Sequence, residues 1–168
     1  MSSSRFERLR DRLLARSAGQ TVPPLPHGAG SAELSVLVQR VRPFAEAMYL
    51  VISADAAISA RERDVLRGAL RTLTEDRLGS EVQEAMLTEF EQLHARDGVE
   101  LRLDAIASEI YADRRDAELA LVLAIIAADV DGRLEKRERE VVAALAQRLG
   151  VKPSELDTLL LEAQSQSR

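Results

Sequence analysis

Apolar residues recur along most of the chain at the three- and four-residue spacing of an amphipathic helix. Leu34, Leu37, Val38 and Val41 form a first stripe, with Ser31 placed to cap it. Pro43 predicts a break or kink after that stripe, because proline lacks the amide donor and clashes with the preceding turn. From about Phe44 to Ala54 the chain is apolar nearly all round, through Met48, Leu50, Val51 and Ile52, which only a central helix tolerates. A second such stretch runs from Ala117 to Ala128. Between the two lie one-sided stripes: Val65, Leu66, Ala69, Leu70, Leu73; then Val82, Met86, Phe90, Leu93; then Leu103, Ile106, Ala107, Ile110, Tyr111. Asp97-Gly98 and the polar run Asp113 to Asp116 predict turns between elements. Beyond the second apolar stretch, Val141, Val142, Leu145, Ala146 and Leu149 form a stripe that Gly150 ends. Pro153 suits the first turn of a last helix, with Leu156, Leu159, Leu160 and Ala163 inside. Ser59 with Glu62, and Ser80 with Gln83, have the spacing of capping boxes.

Alternating Val/Ile/Thr/Tyr runs that would signal strands are missing, and Ala, Leu, Arg and Glu dominate, so the fold class is all-α. A chain of 168 residues suits one domain with a sizeable core. Composition divides it into a basic amphipathic helix over residues 1–17, a Pro/Gly-rich linker over 18–31, a helical domain over 32–164 and a polar tail over 165–168. In the first segment Phe6, Leu9 and Leu13 share one side, and Arg5, Arg8, Arg10, Arg12 and Arg16 outnumber Glu7 and Asp11. Packing on its own domain, or fraying, is the favoured role of that helix. Contact with an anionic membrane surface, or with a partner, is the alternative.

Charge and residue usage narrow the function. A net charge of −5 argues against nucleic acid as partner. The absence of cysteine removes disulfides, thiol redox chemistry and thiolate-held metals. No apolar signal region opens the chain, and the longest apolar run, Leu119 to Ala128, is far short of the ~18 residues of a membrane span, so a cytoplasmic location is expected. No phosphate-binding glycine loop, nucleophile elbow or histidine pair is present, so no enzyme is expected. His27 sits in the linker, and His94, near a predicted helix end, suits capping or solvation.

The two apolar stretches run into related acidic turns. Asp55 to Leu66 aligns without gaps with Asp131 to Val142, 76 residues further on, and five of the twelve pairs are identical. This predicts a pseudo-two-fold bundle, each half an apolar helix, an acidic turn and an amphipathic helix. In the second copy Asp129, Asp131, Gly132, Leu134 and Glu138 match the later positions of an EF-hand loop, but Ala127 stands where the first ligand belongs. Asp129, Asp131 and Glu138 remain as ligands for a hard divalent cation of the Ca²⁺ or Mg²⁺ type, bound with water. The first copy keeps Asp55 and Glu62, with Ser53 and Ala56 replacing the first ligand and the glycine, so its site is the poorer. A purely structural reading competes: Glu62 has a capping partner in Ser59, whereas Glu138 lacks one, since Glu135 is a poor N-cap. The Arg-Glu-Arg triplets at 61–63 and 137–139 read first as solvated helix charge and second as a partner surface.

An Ala-rich apolar helix running into Asp-Gly-x-Leu-x-x-x-Glu, with an imperfect second copy in an all-helical chain, resembles the TerB-like tellurite-resistance family and the N-terminal domain of DjlA-type membrane co-chaperones. The likeness covers about residues 42 to 164. It implies a compact bundle of about seven helices serving bacterial tellurite or stress responses, with metal bound through Asp55, Glu62, Asp131 and Glu138. Ala56 and Val130 depart from the family's motif. The expectation is a non-enzymatic domain that binds a divalent cation or a protein partner through duplicated acidic turns. The alternative is an interaction scaffold whose turns are only structural.

Overall fold

A computed structural model describes residues 31–55, 58–129 and 133–165. The basic segment, nearly all of the linker, the last three residues of the tail, and Val130, Asp131 and Gly132 lie outside the described residues. Among the described residues there are six helical spans and no strand: α1 Ser31–Ile52, α2 Ala60–Leu73, α3 Ser80–Ile110, α4 Arg114–Ala128, α5 Lys136–Arg148 and α6 Pro153–Ser165. No helix among them is long and apolar enough to cross a membrane.

The two stretches that are apolar nearly all round, the second half of α1 and α4 beyond its first turn, lie in the pair of helices that packs most extensively and forms the centre of the bundle. Met48, Leu50 and Val51 of α1 and Ala120, Leu121, Leu123 and Ala124 of α4 are fully buried. Alanines in both helices leave room for close approach, and each buried Leu or Met contributes about 1.5–3 kcal/mol. The other helices lay one stripe each on this pair: Leu66, Ala69 and Leu70 from α2, Met86, Leu87 and Phe90 from α3, and Val142, Leu145 and Ala146 from α5.

Three local expectations change. Pro43 does not divide the chain: α1 runs through it as one span, and Pro43 is itself buried. The cost of an interior proline, about 3 kcal/mol, is within what burying two of the following apolar side chains returns. At Asp97-Gly98 the expected turn is present, as a kink inside α3 where two helical segments meet: Gly98 has φ 76° and ψ 167°, a conformation that glycine alone adopts readily. Six spans, the third bent at a non-helical residue, therefore stand where about seven helices were expected. Ser80 and Gln83 do not form a capping box. Gly79 is the N-cap, and the buried Gln83 amide instead donates to Leu78 O at 2.7 Å.

The duplication is local. α1 and α2 around one turn match α4 and α5 around the other, but a 31-residue bent span follows the first unit and a 13-residue helix the second. The bend in α3 is tied to α1 by a buried ion pair that the apolar pattern concealed. Arg102 donates to Glu46 at 2.6 and 3.0 Å, with Glu46 only 2% exposed, and it also reaches Asp97 next to the bend at 3.4 Å.

Candidate functional site

The first acidic turn begins where α1 runs out. Ser53 and Ala54 close the helix by donating to Tyr49 O and Val51 O, and Asp55 follows on the surface. Ser59 then opens α2 in extended conformation. Its backbone N–H donates to the Glu62 carboxylate at 2.7 Å, and its hydroxyl accepts from Glu62 N at 3.2 Å. Glu62 thus commits one oxygen to the cap, as its spacing predicted.

The second turn is built on the same plan. Asp129 caps α4, its N–H donating to Ile125 O, and is only 5% exposed. Leu134 is buried as the apolar anchor, while its counterpart Ile58 is half-buried. Glu135 holds the N-cap of α5 in extended conformation, and its N–H donates to Glu138 Oε2 at 2.7 Å. The expectation that Glu138 lacks a capping partner is therefore wrong. The required donor is a backbone N–H, which any residue but proline supplies, so the poor N-cap preference of a glutamate side chain did not matter. Asp131 and Gly132 lie outside the described residues.

The two turns are neighbours. Arg137, in the first turn of α5, reaches across to Asp55 of the first copy, Nε to Oδ1 at 3.4 Å. The Glu138 carboxyl is pushed above the ordinary glutamate value, first by burial and then by the negative charges of Glu135, Asp55 and Glu62, while the cap hydrogen bond pulls the other way. Asp55 and Glu62 from one copy and Glu138 from the other thus act on one another. Asp129 stays buried at the end of α4. Among the described residues no group of three or more Asp, Glu or His side chains is gathered closely enough to hold a metal ion.

Crowding of this kind has a sign. Below the ordinary glutamate value of 4.5 the Glu138 carboxyl is protonated in the folded and unfolded chains alike and carries no penalty. As pH rises from there through the raised folded value, the fold must ionise a buried carboxyl among like charges and loses stability. Glu138→Gln keeps an oxygen for the Glu135 N–H and removes the charge. In cation-free buffer it is expected to raise Tm at about pH 7, with the gain fading toward about pH 4. Thermal melts across that range check it, and a gain independent of pH would contradict the assignment.

The arginine triplets divide between the two kinds of contact. Arg63 pairs with Glu84 at 2.6 Å and Glu91 at 3.4 Å, tying α2 to α3, and Arg139 donates to Leu134 O at 3.1 Å. His94 lies about one turn before the Gly98 kink in α3, near a helix end as expected. Its ring meets Tyr49 edge-on, and its Nδ1 is 3.5 Å from the buried Ser53 hydroxyl just ahead of Asp55. Sequence reasoning passed over this cluster. The signal was there in Tyr49 and Ser53, four apart at the end of α1 and just beyond it, facing Phe90 and His94, four apart on α3.

Compared with known proteins, residues 44–161 match the family model of tellurite resistance protein TerB, which is well over half of the chain. No curated protein and no solved structure matches. The all-helical bundle, the repeated acidic turns and this match agree, and the chain belongs to the TerB tellurite-resistance family.

Proposed function

We propose that this chain is a non-enzymatic domain of the tellurite and stress-response type, whose two acidic turns together take up one hard divalent cation. The observation that carries this reading is the position of Glu138: 8% exposed, its carboxyl pushed up first by burial and further by the negative charges of Glu135, Asp55 and Glu62. Like charges kept together at a cost are relieved by a cation, and carboxylate oxygens suit Ca²⁺, Mg²⁺ or Mn²⁺. Glu138 and Glu62 each spend one oxygen on a helix cap, which fixes the carboxylates in place and leaves the second oxygen as donor. Since the described carboxylates do not complete a metal site alone, Asp131 is the further ligand the reading requires, with water filling the remaining positions.

Isothermal titration with Ca²⁺, Mg²⁺ and Mn²⁺ tests it. One ion per chain is expected, with affinity falling about tenfold or more in Glu138→Gln and in Asp131→Asn, a loss of roughly 1.4 kcal/mol or more in each. No heat and no shift in Tm with any of the three ions would sink the proposal.

The second reading, an interaction scaffold with structural turns, draws on the same caps and on the Arg137–Asp55 pair, which already give the turn carboxylates partners. Under it, Glu138→Gln changes stability but no cation binds, and a protein partner is recruited through the arginine triplets or the basic N-terminal segment.

A further inference from the structure

We infer that the basic amphipathic segment over residues 1–17 docks within its own chain, on the half-covered stripe of Leu34, Leu37 and Val38 at the start of α1. The inference is independent of the cation reading above.

The start of α1 overhangs the bundle. α1 and α4 pack side by side and lead into the two neighbouring acidic turns, so they run in the same direction. α1 has 22 residues and α4 has 15. With their ends level, the first two turns of α1 extend about 10 Å past the start of α4. Burial follows the overhang. Ala45 to Ile52 are buried without exception, whereas Leu34, Leu37 and Val38, on the same stripe as Val41, are only half-buried at the edge of the core. Val36, on the other side of the helix, is 63% exposed.

Spacing, reach and charge name the occupant. Phe6, Leu9 and Leu13 repeat at the three- and four-residue spacing that matches such a stripe. The Pro/Gly-rich linker joins them to α1, and at about 3 Å per extended residue it spans roughly 40 Å, ample for folding back along two helical turns. The first 30 residues carry five arginines and two acids, while the rest of the chain has 18 basic and 26 acidic residues, a net charge of −8. Acidic side chains stand at this end of the bundle: Glu33 on α1, Glu109 at the end of α3, and Asp113 and Asp116 at the start of α4. Arg114, among them, is already paired with Glu118 and Glu155. The linker holds the segment at a high effective concentration, so a modest apolar contact aided by charge suffices. A second copy, or an anionic lipid surface, must compete with that contact for the same apolar side.

The chain has no cysteine, so disulfide trapping in the full-length protein tests the docking. Leu9→Cys/Leu37→Cys places a thiol on each of the two facing stripes. Leu9→Cys/Val36→Cys is the control, with the same linker and a more exposed thiol on the wrong side of the same turn. Under mild oxidation the first pair is expected to close within the chain about fivefold faster than the control, or more, as a docked contact does over a merely tethered one. A control that closes as fast means a tether without docking and overturns the inference. Cross-links mainly between chains, rising with protein concentration, place the segment on a second copy and overturn it too. A second measurement leaves the described domain unmodified: Leu9→Glu/Leu13→Glu is expected to speed amide hydrogen exchange over residues 35–40 about threefold or more, with α4 unchanged. Unaltered exchange in that variant contradicts docking.

Discussion

Arg102→Met is expected to destabilise the protein by about 3–5 kcal/mol, because it leaves the Glu46 carboxylate buried without its partner. Glu46 is 2% exposed on α1, and both its oxygens accept from Arg102. Water has little access to replace the guanidinium. For a chain of this length the loss corresponds to a fall in Tm of roughly 10 °C. Asp97 keeps Arg96, at 2.6 Å, so its loss of the weaker Arg102 contact is a minor part of the effect. The double variant Glu46→Leu/Arg102→Met should recover much of the stability, since an apolar pair of similar volume avoids the desolvation that the ion pair must overcome. Urea and thermal unfolding of the single and double variants check this, and a loss below about 1 kcal/mol in Arg102→Met would show that Glu46 finds solvent or another donor.

Leu50→Ala carries the second large effect. Leu50 is 0% exposed on α1, one turn before the first acidic turn, and its backbone oxygen accepts from the Ser53 hydroxyl. Truncation removes three carbons from a packed interior and leaves a cavity that neighbouring helices fill only in part, at a cost of about 2–5 kcal/mol. The cavity lies in the buried core, so α1 has room to shift and Asp55, just beyond its end, loses its fixed position. Denaturant unfolding should show the loss as a lower midpoint with an unchanged slope. A loss under about 1 kcal/mol would place Leu50 outside the tightly packed centre.

How much of this was written in the sequence follows from the kind of signal each feature leaves. The all-helical bundle was legible because period and composition act over many residues at once: the second half of α1 and most of α4 had to be central, since a helical stretch apolar on nearly every side cannot face water. The helix ends were legible where one residue decides, as at Ser59, Gly150 with its φ of 69°, and Pro153 opening α6. Boundaries that depend on competing terms were not. Pro43 reads as a break until the burial on both sides of it is counted. Ser80 has the right neighbours for a cap, but Gln83 was drawn to Leu78 O instead.

At the site, the repeat singled out two turns without saying how far apart they lie. Proximity is tertiary information, carried by the packing of α1 on α4 and seen in the Arg137–Asp55 approach and in the effect of Asp55 and Glu62 on Glu138. The Glu138 cap was missed because a backbone donor leaves no mark on residue type. The Glu46–Arg102 pair was missed because a single charge in an apolar helix names no partner 56 residues away.

Paramagnetic broadening of backbone amides by substoichiometric Mn²⁺ would locate a bound ion directly. One site shared between the turns requires the amides of Asp55, Glu62, Glu135 and Glu138 to broaden together, at the same ratio of ion to protein. Broadening confined to one turn would contradict a shared site, and so would equal broadening at scattered surface carboxylates such as Glu81 and Glu109.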